Sequence, residues 1–69
     1  SQQNAYYWII VDVLAEELGY TSQEMHLTIK NHFNIESTKE LEKKEFGEFV
    51  ERLIRWSAIE LGVVIPDPR

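Results

Sequence analysis

A chain of 69 residues has room for one domain and one core. It contains no cysteine, which excludes disulfides and thiolate zinc sites, two of the usual supports of domains below about 70–80 residues. At 43% apolar, with two Trp, three Tyr and three Phe, it lies far from disordered chains; at a formal charge of −5 it does not condense on nucleic acid as a whole, so any such contact needs a local cluster of cations.

The first predicted element is a helix over about 5–18. Asn4 is the expected N-cap and Gly19 the residue just past its end, where a positive φ is wanted. On a helical wheel Tyr6, Tyr7, Ile9, Ile10, Val13, Leu14 and Leu18 cover a wide sector, and Trp8, Val11 and Ala15 widen it further. A helix this apolar is buried on several sides, which makes it the central helix of a bundle. It is too short to cross a bilayer, which takes about 20 apolar residues. Asp12 and Glu16, one turn apart, define a solvated strip, and Glu17 is expected to reach outward to water. The surplus of apolar side chains predicts self-association through Tyr7, Trp8 and Val11, as a homodimer or by docking on a further N-terminal domain.

Thr21-Ser22-Gln23-Glu24 is a capping box and starts a second helix over about 22–33. Met25, Ile29 and Phe33 share one face at four-residue spacing, with His32 beside them and His26 at the border. The histidines are six apart, whereas a zinc-binding helix wants them four apart with further ligands, so no metal is expected. The connection from Asn34 to Glu42 holds another cap pattern at Ser37-Thr38-Lys39-Glu40, expected to form one short turn, and Ile35 and Leu41 are expected to pin it to the core.

The third helix is predicted over about 43–61, stopped by Gly62. Phe46, Phe49, Val50, Leu53, Ile54, Ser57 and Leu61 form its apolar face. Gly47 within it suggests a close helix contact, since glycine costs about 1 kcal/mol there against alanine. Arg52 and Trp56 are four apart, so the guanidinium is expected to lie on the indole. With Arg55 they form a candidate contact patch of the residue types that dominate binding hot spots. Lys43 and Lys44 open the same helix, where cations oppose the macrodipole; they are expected to be solvated and paired with acids such as Glu40 or Glu48, the alternative being an anion held with the free N–H groups. After Gly62 the prolines of Pro66-Asp67-Pro68 forbid a further helix, so the tail is extended and Val63-Val64-Ile65 is expected to fold back on the core or to pair with a missing neighbour.

No Gly-rich phosphate loop, Ser/His/Asp or Cys/His set, or paired-histidine zinc motif is present, so neither an enzyme nor a cofactor is expected. A helix-turn-helix reading would need the third helix for recognition, and Glu45 and Glu48 occupy its N-terminal part. Ser1–Ala5 is polar and uncharged, unlike a signal peptide.

Three stretches, QQNAYYW, STKELEKKEFGEF and ELGVVIPDP, together resemble the NinB-like phage recombination proteins of the lambda Orf type. The resemblance rests on Gln3-Asn4 followed by Tyr6, Tyr7 and Trp8, on Ser37-Thr38 with Leu41 and Glu45-Phe46, on Trp56, and on Gly62-Val63. It implies single-stranded DNA binding, dimerisation and contact with single-strand-binding protein, in the cytoplasm of a bacterial host. In that family a basic, β-rich region precedes the helical one; the abrupt start of the first helix here predicts a domain excised from a longer protein. Relatives carry Ser or Thr at the position of Glu42, so the third helix is expected to have a weaker cap, and they are polar at the position of Ile59.

The reading is therefore an all-α, small three-helix bundle with an extended C-terminal tail. Its expected function is that of a non-enzymatic helical domain of a phage-type recombination mediator. Any single-stranded DNA binding should be weak and use Lys43, Lys44, Arg52, Arg55 and Trp56. The alternative is a generic helical dimerisation or protein-interaction module without nucleic-acid binding.

Overall fold

The computed structural model describes residues 2–66, and among them the chain is all-helical. Three helices, α1 (Gln2–Leu18), α2 (Ser22–Phe33) and α3 (Lys43–Glu60), are joined by a tight turn and by a connection holding one 3₁₀ turn (Thr38–Glu40). α1 packs against both other helices and is the centre of the bundle. Tyr7, Ile10, Val11, Leu14 and Ala15 of α1 meet Met25 and Ile29 of α2 and Phe46, Phe49, Val50 and Leu53 of α3 in one core.

Each boundary has a local cause. α1 starts at Gln2, so Asn4 lies inside the helix and is not its cap. The helix ends at Gly19, whose φ of +79° lets the N–H groups of Gly19 and Tyr20 both bond to the Ala15 carbonyl. α2 opens on the predicted capping box: Thr21 Oγ1 accepts from the Glu24 N–H at 3.1 Å, and the Glu24 carboxylate accepts from the Thr21 N–H at 2.8 Å. That second bond holds the Glu24 carboxyl below its ordinary pKa. Asn34, in the left-handed region at φ 57°, closes α2 as its N–H and that of Ile35 turn back on the Lys30 carbonyl. At the start of α3 the Glu45 carboxylate accepts from the Glu42 N–H at 3.2 Å.

The expected face of α3 is the buried one: Phe46, Phe49, Val50, Leu53 and Ser57 are inside, and Ile54 and Leu61 lie partly buried against them. Ser57 satisfies its buried hydroxyl by donating to the Leu53 carbonyl at 2.7 Å. Gly47 does not mark a close approach of backbones: a Cβ built there would meet only the end of the Gln3 side chain, at 3.4 Å.

The connection behaves as expected, and the tail does so in part. Ile35 and Leu41 are half-buried against the core, and Ser37 Oγ caps the 3₁₀ turn by accepting from the Lys39 N–H at 3.2 Å. Past Gly62 the tail alternates, with Ile65 buried and Val64 81% exposed, and the Tyr6 hydroxyl donates to the Pro66 carbonyl at 3.0 Å. The remainder of the Pro-Asp-Pro ending lies outside the described residues.

The expected self-association surface is not available either. Tyr7 and Val11 are fully buried within the single chain, so they cannot form a self-association surface; only Trp8 of that set is partly exposed. Two helices and the tail cover most of the wide apolar sector of α1, while Ile9, 54% exposed, and Leu18, 36% exposed, stay at the surface. Among the described residues no helix is long and apolar enough to cross a membrane.

Candidate functional site

The cationic residues singled out on α3 do not converge. Arg52, Arg55 and Trp56 lie about two to three and a half turns from Lys43 and Lys44 on an 18-residue helix. Lys43 and Lys44 both border a shallow groove together with Glu48 and Glu51, which oppose their charge. The Arg52 guanidinium does not lie on Trp56: its carbon is 5.5 Å from the centre of the Phe33 ring. The Trp56 face belongs to His32, stacked at 4.4 Å with the planes 26° apart, and the Phe33 edge closes on both rings. The result is an aromatic ledge between the C-terminal parts of α2 and α3, with the exposed Arg52 at it.

A deeper cleft lies elsewhere. The N-terminal part of α1, the middle of α2, the 3₁₀ turn and the start of α3 enclose a cleft of about 880 Å³. Three lysines line it, each from a different element: Lys30 from α2, Lys39 from the 3₁₀ turn and Lys43 from α3. No lining residue is acidic; the others are amides, hydroxyls, His26 and the apolar Trp8, Leu41 and Phe46. In a chain with a net charge of −5, an acid-free concavity with three lysines is where potential favourable to an anion is focused.

Local structure places these groups. Asn4 and Trp8 are one turn apart on α1, and His26 and Lys30 one turn apart on α2, so each pair shares a helical strip. The Lys30 ammonium donates to the Glu36 carbonyl at 3.2 Å, tying α2 to the start of the connection. Gln3 Nε2 donates to the Lys43 carbonyl at 3.4 Å, drawing α1 to α3 on the other side.

His26 joins the cleft to the core. Its Nδ1 is 2.7 Å from the hydroxyl of the fully buried Tyr7, and its ring centre is 4.7 Å from that of Trp8. Desolvation, and then the nearby Lys30 charge, hold the imidazole below its ordinary pKa. Burial raises the Tyr7 phenol above its ordinary value, so it stays protonated. No family model matches this chain, and neither a curated protein nor a solved structure does.

Of the residues named from sequence, Lys43 belongs to the cleft, and so does Trp8, although a different role was expected of it. Lys30, Lys39 and His26 were not anticipated as site residues. The four-residue spacing of His26 and Lys30 was the available signal; nothing in the linear order puts Lys39 beside them. Among the described residues no group of three or more His, Cys, Asp or Glu could hold a metal ion.

Proposed function

We propose that this domain binds single-stranded nucleic acid in the lysine cleft and acts by binding alone, as the helical domain of a phage-type recombination mediator in the bacterial cytoplasm. One observation carries the reading: Lys30, Lys39 and Lys43 line a single cleft free of acids, with the half-exposed Trp8 among them. Phosphates are held by lysines, and a base stacks on an indole whatever its sequence. The resemblance of the chain to NinB-like proteins points the same way. The cationic site moves from Arg52 and Arg55 to the cleft, because acids dilute the charge along the exposed side of α3.

The test is fluorescence anisotropy of a labelled oligothymidylate over a range of salt. Single strands release about 0.7 counterion per neutralised phosphate, so three lysines give a log–log salt slope of about −2. Lys39→Ala/Lys43→Ala should weaken binding and flatten the slope to about −0.7. Arg52→Ala/Arg55→Ala should leave the slope unchanged. The reverse pattern refutes the assignment to the cleft.

A second reading, a protein-interaction module, is favoured by the ledge of His32, Phe33 and Trp56 with Arg52 at its edge. Absence of any salt-dependent binding to the oligonucleotide selects this reading, with single-strand-binding protein as the partner the family resemblance suggests.

A further inference from the structure

The cleft contains a hydrogen bond whose direction is fixed by the core. Tyr7 is fully buried and remains a phenol, and His26 is its hydrogen-bond partner. If His26 carried its proton on Nδ1, that N–H would donate to the phenol oxygen and the phenol hydrogen would be left in the core without an acceptor. A buried unsatisfied donor costs about 1–3 kcal/mol. The arrangement that satisfies both groups has Tyr7 donating and Nδ1 accepting, and a neutral ring accepting on Nδ1 carries its hydrogen on Nε2.

We infer that Tyr7 fixes His26 as the tautomer protonated on Nε2, and that this N–H is an uncharged donor of the cleft to a phosphoryl oxygen of a nucleotide unit whose base lies against Trp8. The assignment rests on the proposed nucleic-acid reading and names which part of the nucleotide each group takes. The His26 ring lines the cleft, with Nδ1 turned to the core and the Trp8 ring beside it. Lys30 follows one turn later on the same helix, so a cation and a neutral donor stand together where a phosphate would lie. Tyr7 is thus a positioning residue: it touches no ligand and acts through the histidine.

The experiment uses the full chain labelled with ¹⁵N, with His26 read by long-range ¹H–¹⁵N correlation at pH 7.5. The free protein should show Nε2 protonated and Nδ1 unprotonated, and Tyr7→Phe should let the other tautomer appear. Millimolar thymidine 5′-monophosphate should shift Nε2 and quench Trp8 fluorescence, and thymidine alone should leave Nε2 in place. Glutamine can put an N–H where Nε2 stood and asparagine cannot reach, so His26→Gln should bind the monophosphate within about twofold of wild type and His26→Asn roughly tenfold more weakly. An Nδ1-protonated ring, an Nε2 resonance indifferent to the monophosphate, or undiminished binding by His26→Asn each overturns the inference. If oligothymidylate fails to bind while the monophosphate still shifts Nε2, the inference stands and the strand-binding reading falls. If the strand binds and His26→Asn binds it equally well, the strand-binding reading stands and the inference falls.

Discussion

Leu53→Ala tests the architecture at its centre. Leu53 is fully buried in α3, and its carbonyl holds the Ser57 hydroxyl, so its position is anchored by backbone as well as by packing. Alanine is the best helix former, so the substitution leaves α3 its propensity and removes only side-chain volume. Three carbons at about 0.8 kcal/mol each give a transfer loss near 2.4 kcal/mol. The cavity term raises the total to about 3–5 kcal/mol, because a core shared by three helices collapses only partly. At about 0.05–0.15 kcal/mol per residue the whole domain has roughly 3–10 kcal/mol in reserve. One substitution thus removes a third or more of the stability. With about 4–8 °C lost per kcal/mol at this size, the melting temperature should fall by at least about 12 °C. Urea unfolding followed by circular dichroism measures the difference. The control is Ile59→Ala, on the same helix but 71% exposed, which should stay within about 0.5 kcal/mol of wild type. Equal midpoints for the two variants would mean that α3 does not present Leu53 to the core.

Two further perturbations follow from local environments. The His26 pKa is lowered on folding, so the unfolded chain takes the proton first: its contribution is complete above the ordinary imidazole value of 6.5 and lost as pH falls through it. The urea midpoint should therefore drop between pH 7.5 and 5.5, and drop less in His26→Gln; equal drops would contradict the neutral role of the ring. Further acidification should remove the α2 capping-box contribution as well, since the Glu24 pKa is also lowered, and that stability is lost as pH falls through the folded value. Gly47→Ala should stabilise the domain by about 0.5–1 kcal/mol, because a helical glycine is costly and the new methyl meets only the Gln3 side chain; a lower melting temperature would reveal a tighter contact between α1 and α3.

The sequence by itself determined the elements and most of the core. Periodicity, the capping box at Thr21 and the stops at Gly19 and Gly62 are local features, acting within a turn of the residues that carry them, and they placed α2 as observed and α3 to within a residue. The amphipathic stripe of α3 told which face is buried for the same reason: its 3.6-residue period is written in the order of side chains. α1 was harder to read. A helix apolar almost all round states that it is covered, not by what, and Tyr7 and Val11 looked available to another molecule until α2, α3 and the tail were wrapped around them. The candidate site was least legible. Lys30, Lys39 and Lys43 acquire a common role only when the connection folds over the ends of α1 and α3, and the acids adjacent to them in sequence, Glu36, Glu40 and Glu42, do not line the cleft. Linear order mixes the charges; the tertiary fold sorts them, because side-chain direction on each turn depends on what that turn packs against. The same holds for the aromatics: four-residue spacing paired Arg52 with Trp56, but a neighbouring helix supplied His32 and Phe33, whose ring faces took up the indole and the guanidinium.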